Sequence, residues 1–149
     1  IPANDSSFDA IMCTEVFEHI INPREAVKEF SRLLKPSGYL IITAPFCSLT
    51  HFAPYHFYSG FNKFFYETVL PQNGFEIVEM VPNGNYFDYI AQELSRLPEV
   101  AKKYSKATVG AKDLITLNNA NALLQKLTNM EANSSELLCF GFHVIAKKK

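Results

Sequence analysis

Phe8-Asp9-Ala10-Ile11-Met12-Cys13 and Tyr39-Leu40-Ile41-Ile42-Thr43-Ala44, with a helix-spaced segment between them, are the stretch on which the fold turns. Each is a short, near-continuous apolar run, the pattern of a parallel strand covered on both faces. Between them Asn22 is placed to cap a helix, Pro23 falls at its first position, and Glu25 completes a box-like pattern with the cap. Ala26, Val27, Phe30, Leu33 and Leu34 then share one face at helical spacing. Lys35-Pro36-Ser37-Gly38 ends the helix. Strand, helix and strand within about forty residues make a βαβ unit, whose crossover is almost always right-handed.

Working outward, Ile1 to Ser7 is rich in turn formers and reads as a loop. Phe46 to about Gly60 is polar and aromatic without a clear period, a long loop. Phe61 to about Leu70 predicts a helix with Phe64, Phe65 and Val69 or Leu70 inward, ended by Pro71-Gln72-Asn73-Gly74. Phe75 to Val81 is a partly alternating strand whose glutamates suit a sheet edge. Two helical stretches follow, roughly Tyr86 to Leu97, broken by Pro98, and Lys112 to Met130; Leu137 to Ala146 is a final apolar strand containing His143, read as structural. The order predicts an open α/β sheet with flanking helices, one domain over residues 1–149.

A chain that is 48% hydrophobic and 19% charged can bury a sizeable core. Its net charge of -1 speaks against nucleic acid as a partner, and Lys147-Lys148-Lys149, the one basic run, reads as a solvated tail. Cys13, Cys47 and Cys139 lie far apart in apolar contexts, without metal-type spacing, and read as buried free thiols of a reducing cytoplasm. No signal pattern and no apolar run of membrane-spanning length is present, so a cytoplasmic protein without a membrane partner is expected.

Two segments together resemble the class I S-adenosylmethionine-dependent methyltransferases, in particular the type 11-like members. One runs from Phe8 through Thr14-Glu15-Val16-Phe17-Glu18-His19 to Ile20, and the other from Arg32 through Lys35-Pro36-Ser37-Gly38 to Pro45. They are similar to that family's fourth strand with its following loop and to its fifth strand with the turn before it. Asn73-Gly74-Phe75-Glu76-Ile77 resembles the start of the sixth strand, and the final apolar strand resembles the seventh, which inserts antiparallel between the fifth and sixth. The resemblance implies part of a Rossmann-like sheet, strands four to seven, and a transferase that uses S-adenosylmethionine. It places Cys13, Thr14, Glu15 and Val16 against that cofactor, beyond the carboxyl end of the strand, where open α/β sheets bind ligands. The family's glycine-rich turn and the acidic residue that holds the cofactor ribose have no counterpart in these residues, which correspond to the C-terminal part of the domain.

Glu15, Glu18 and His19 form an E-x-x-E-H pattern, with His51 and His56 after the next strand. Carboxylates and imidazoles in such a set can ligate Mg²⁺, Mn²⁺ or Zn²⁺. A small-RNA 2′-O-methyltransferase family holds its ion with a similar cluster, whereas in metal-free relatives the histidine lines the cofactor or substrate pocket. The second alternative is adopted here, with no metal expected; a purely structural His19 is the third. His51-Phe52-Ala53-Pro54-Tyr55-His56-Phe57-Tyr58 reads either as a self-packing aromatic loop or as a lid over the strand ends. In the second case His19, His51, His56, Tyr55 and Tyr58 orient or deprotonate the acceptor.

The expected function is methyl transfer from S-adenosylmethionine to a small-molecule acceptor. The alternatives are a non-catalytic fragment or interaction module that needs a further N-terminal half, and a metal-dependent RNA 2′-O-methyltransferase. In the family the strand at Phe8 to Cys13 pairs with another strand on its outer side, so its edge is expected to seek a partner, giving a homodimer.

Overall fold

The computed structural model describes residues 1–149. They form two compact units, residues 1–83 with 140–149, and residues 84–139.

The first unit is built on β1 (Phe8–Thr14), α1 (Pro23–Leu33), β2 (Leu34–Pro45), α2 (Lys63–Gln72), β3 (Phe75–Asn83) and β4 (Gly141–Lys148). The sheet order is β1-β2-β4-β3, with β1 and β2 parallel and β4 antiparallel to both of its neighbours. The last strand is therefore inserted between β2 and β3, as the resemblance implies, and β3 lies at an edge, as its glutamates suggest. Leu40, Ile42 and Ala44 of β2 pair with Ala146, Val144 and Phe142 of β4, and all six are buried. Their alternation puts one sheet face into the core, together with Val27, Phe30 and Leu33 of α1 and Tyr66, Val69 and Leu70 of α2.

Several local expectations change. β1 is the other edge strand, and only Cys13 of it is buried, while Met12 is 72% exposed. Apolar composition alone does not reveal which face a neighbour covers. The turn at Lys35-Pro36-Ser37-Gly38 stays within β2 as a bulge. Phe8 aligns with Leu34 but Ala10 already with Tyr39, and Ser37 takes a left-handed backbone with φ 64°. Asn22 precedes Pro23 as expected but makes no side-chain capping bond. In α2, Tyr66 rather than Phe64 turns inward, and Asn62 caps the helix by accepting from the Phe65 N–H.

Lys147 and Lys148 do not form a tail. Lys147 Nζ lies 5.8 Å from the centre of the Tyr39 ring, and Lys148 Nζ donates to the Leu34 carbonyl at 2.7 Å. His143 is exposed on the opposite side of β4 from the core. The N-terminal loop is fastened by Arg32, which donates to Asp5, Glu29 and the carbonyls of Ala3 and Ile1.

The second unit carries α3 (Tyr86–Tyr104) and α4 (Ala111–Thr128). Asn85 caps α3 by accepting from the N–H groups of Phe87 and Asp88. Pro98 does not break this helix. It leaves the Leu94 carbonyl without its intrahelical donor, a loss that water can make good on a helix with so little buried surface. The two helices are linked by Thr128 Oγ1 donating to Asp88 at 3.0 Å and Asn121 Nδ2 donating to Ser95 at 3.2 Å. A single 3₁₀ turn, Ser134–Glu136, stands where the final strand was expected to approach, so β4 starts at Gly141 rather than Leu137. No helix is long and apolar enough to cross a membrane.

Candidate active site

At the carboxyl end of β1 the chain turns sharply. Glu15 takes a left-handed backbone, φ 51°, its N–H donates to the Thr43 carbonyl at 2.8 Å, and Thr43 Oγ1 donates to Glu15 Oε1 at 2.8 Å. Thr43 on the neighbouring strand thus fixes Glu15 twice. Cys13 is buried, whereas Thr14, Glu15 and Val16 are exposed just past the strand. Burial, and then the charge of Glu18, push the Cys13 thiol up to about 11, so it stays neutral near pH 7 and offers no thiolate.

A 3₁₀ turn, Phe17–His19, follows at once. Phe17 is completely buried among the rings of Phe30, Phe61 and Phe65, with centroids 5.8–6.3 Å away. This anchor holds Glu18, which is 1% exposed, and His19 beside it.

The loop from Phe46 to Asn62 closes at its base. Phe61 N–H donates to the Pro45 carbonyl at 2.8 Å, and Ser48 N–H to the Ser59 carbonyl at 2.6 Å. Gly60 makes this closure possible, with φ 150° and a Cβ position only 2.3 Å from the Phe46 carbonyl oxygen. The loop is also tied to the 3₁₀ turn, because the N–H groups of Phe57 and Tyr58 both donate to the Glu18 carbonyl.

Three of the sequence candidates meet here. The rings of His19, His51 and His56 lie 4.8 Å (His19 to His51 and His51 to His56) and 6.0 Å (His19 to His56) apart. His19 Nδ1 is 2.5 Å from the Tyr55 carbonyl oxygen and His51 Nδ1 is 2.9 Å from that of Leu49. A carbonyl only accepts, so each neutral ring carries its proton on Nδ1 and presents the Nε2 lone pair. Both Nε2 atoms face Glu18 Oε1, at 3.7 Å and 3.8 Å, beyond hydrogen-bond range. Glu18 Oε2 has no hydrogen-bond partner at all. His56 Nε2 is instead 3.2 Å from Ser48 Oγ.

Tyr55 joins this group through its carbonyl and not its phenol, which is exposed. Tyr58 points elsewhere, its hydroxyl donating to the Ile21 carbonyl at 2.9 Å. It lines a separate cleft of about 510 Å³ with Pro23, Arg24, Phe61 and Phe65. Cys47, read from sequence as buried, is exposed on the loop. Sequence reasoning missed the clamp from Thr43, and it named Glu18 only within the E-x-x-E-H cluster weighed as a metal set, not among the catalytic or cofactor residues. The adjacency of Glu18 to His19 was the available signal, but its burial was not visible.

Residues 1–42 match the model of a methyltransferase domain family, and the strand order β1-β2-β4-β3 is the one that family's resemblance implies. Over these residues the chain is similar to methyltransferase domains. The ubiquinone biosynthesis O-methyltransferase of Dictyostelium discoideum, a mitochondrial protein, is 40% identical over 40 residues, which are 27% of this chain and 12% of that protein. The protein of the same name from Alkalilimnicola ehrlichii is 39% identical over 41 residues, 28% of this chain and 17% of its own length. The matches thus span a small part of both curated methyltransferases.

Among solved structures, a protein assigned as a sarcosine dimethylglycine methyltransferase from Galdieria sulphuraria aligns with a TM-score of 0.57 at 15% identity. It covers all of this chain and 56% of its own. A SAM-dependent methyltransferase from Archaeoglobus fulgidus gives 0.55 at 19% identity, over 97% and 61%. The cyclase SpnF gives 0.53 at 18%, over 99% and 52%. That a cyclase shares the methyltransferase fold shows why the reaction has to be argued from the site.

Proposed function

We propose that this chain is part of an enzyme that transfers a methyl group from S-adenosylmethionine to a small-molecule acceptor, with both compact units belonging to one domain. The observation that carries the reading is the constellation just past β1: an exposed Thr14-Glu15-Val16 turn leading directly into His19, whose Nε2 is free to take a proton. Thr14, Glu15 and Val16, with the neutral Cys13 behind them, fit one wall of a cofactor cleft. When bound, the cofactor supplies an already activated methyl group, which leaves alignment and exclusion of water to the protein.

His19 accepts the acceptor's proton at Nε2, with Nδ1 held by the Tyr55 carbonyl as the orienting bond. His51 and His56 complete the polar wall, and the exposed rings of Phe52 and Tyr55 supply apolar cover from the loop. The cleft beside Tyr58 has a volume in the range of small-ligand sites, roughly 300–1,000 Å³. A single substrate spanning both would use Tyr58 to orient its distal end.

Calorimetric titration of this chain with S-adenosylhomocysteine tests the reading. Micromolar binding, abolished by Val16→Asp, supports it. No binding by a chain shown to be folded favours the alternative, an interaction module that needs further chain to complete the cofactor cleft. The exposed edge of β1, with Phe8 and Met12 in the open, supports that alternative and also self-association by strand pairing. A single monomeric species over a wide concentration range in sedimentation would exclude the dimer.

A further inference from the structure

The arrangement at Glu18 is incomplete as a protein-only site. A carboxylate that is 1% exposed has one oxygen with no hydrogen-bond partner, and its only charged-group contacts are with two imidazoles beyond bonding distance. Both imidazoles turn lone pairs toward it, because their N–H groups are committed to backbone carbonyls. Three electron-pair donors therefore converge on one point with no donor among them. Buried polar groups are otherwise almost always satisfied, and a buried unpaired charge is among the costliest defects a fold can carry.

We infer that Glu18, His19 and His51 bind a divalent first-row transition-metal ion. One atom from each, a carboxylate oxygen and two Nε2, lies within 4.8 Å of the others. Bonds of about 2.0–2.1 Å in a tetrahedral site need separations of roughly 3.4 Å, so closure asks for shifts on the order of 1 Å. His51 is half exposed on the loop and supplies that movement. The bonds from Nδ1 to the Tyr55 and Leu49 carbonyls are the second-shell contacts that orient metal-bound histidines and set their tautomer.

Two imidazoles and one carboxylate select Zn²⁺, Co²⁺ or Fe²⁺ over Mg²⁺, which prefers oxygen ligands and water. Exposure on the His51 side leaves a coordination position open to water or a ligand oxygen. The set is not the E-x-x-E-H pattern of the sequence, since Glu15 is held by Thr43 and takes no part. The site draws on the same His19 Nε2 lone pair that the methyl-transfer reading uses as a base, so the two exclude each other at that atom, and each is tested by its own titration.

The test is titration of the metal-free chain with Co²⁺, read by visible absorption, and with Zn²⁺, read by calorimetry, with Mg²⁺ as the contrast ion. The expected result is one Zn²⁺ per chain, the d–d spectrum of a low-coordinate Co²⁺ site, and no response to Mg²⁺. Glu18→Gln keeps the side-chain volume, and His51→Ala alters a half-exposed loop position; each weakens Zn²⁺ binding by about 100-fold or more. His143→Ala, which removes the fourth histidine and none of the three ligands, leaves it unchanged. Absence of Zn²⁺ binding by a folded chain overturns the inference, and so does binding that survives both Glu18→Gln and His51→Ala. Neither outcome touches the cofactor titration above, which is run without metal.

Discussion

Replacing Phe17 by alanine removes the anchor that holds the 3₁₀ turn, and the cost can be worked in two ways. Phe17 is fully buried, so its transfer from water contributes roughly 1.5–3 kcal/mol. Its three ring neighbours add about 0.5–1.5 kcal/mol each beyond area burial. The low end of their sum already meets the roughly 3–5 kcal/mol measured for Phe→Ala in well-packed cores, a range that includes the cost of the cavity. Against a domain stability of about 5–15 kcal/mol, such a loss is a third or more of the total for most of that range.

Phe17→Leu keeps most of the apolar volume and forfeits mainly the ring geometry, for an expected cost of about 1–2 kcal/mol. The chain has no tryptophan and seven tyrosines, so urea unfolding is followed by far-UV circular dichroism and tyrosine fluorescence. The expected outcome is a large fall in midpoint at constant slope for alanine and a small one for leucine. A cost below about 1 kcal/mol for Phe17→Ala, or equal costs for the two variants, would refute the claim that this ring cluster fixes the turn.

Three further outcomes follow from other parts of the molecule. Gly60→Ala puts a Cβ 2.3 Å from the Phe46 carbonyl oxygen, a backbone atom that no rotamer change can move, so the loop base should open at a cost of about 1–3 kcal/mol. Histidine ring signals of His51 and His56 in NMR spectra are expected to shift, and unchanged signals with an unchanged melting temperature would show the closure to be dispensable. Native labelling with iodoacetamide at pH 8 should modify Cys47 first and leave Cys13 unreacted, because Cys13 is buried with its thiol pushed up to about 11. Equal rates at the two sites would contradict the placement of Cys13 behind the Thr14 turn.

Glu29 is held near pKa 2 by its hydrogen bond from Arg32 and then by the amino terminus. Its folded value lies below the unfolded one, so its contribution is fully present above the ordinary carboxylate range and is lost as pH falls through about 2. Arg32→Ala should raise the Glu29 titration toward the ordinary carboxylate range, with the amino terminus still holding it below, read by carbon-detected NMR.

The sheet was legible because its two central signals are local. Continuous apolar runs at β1 and β2, with Pro23 and a helical period between them, need no tertiary information. Burial was not legible for β1, since composition says that a strand can be covered and not whether a neighbour covers it. Pro98 misled for the opposite reason: the cost of a proline is real, yet a long helix absorbs one missing bond. At the site, His19, His51 and His56 were readable as candidates, but their meeting depends on how the Phe46–Asn62 loop closes at Gly60. The direction of each imidazole was beyond reach, because it is set by the Tyr55 and Leu49 carbonyls, and backbone acceptors leave no mark in a sequence. Tyr58 was drawn into the same group by proximity in sequence, although the fold turns it toward Ile21.

The placement of β4 between β2 and β3 governs how this sheet can come into being on the ribosome. β2 and β3 share no hydrogen bonds, so until Gly141–Lys148 emerges the nascent chain holds two separate fragments, β1 with β2 and β3 by itself. The 57 residues from Gly84 to Phe140 must be synthesised first, at a pace of about 5–20 residues per second, while the slot waits open with two unpaired edges. For those seconds the surface that later becomes the centre of the sheet lies open, and a chaperone that recognises extended apolar segments would find a substrate there.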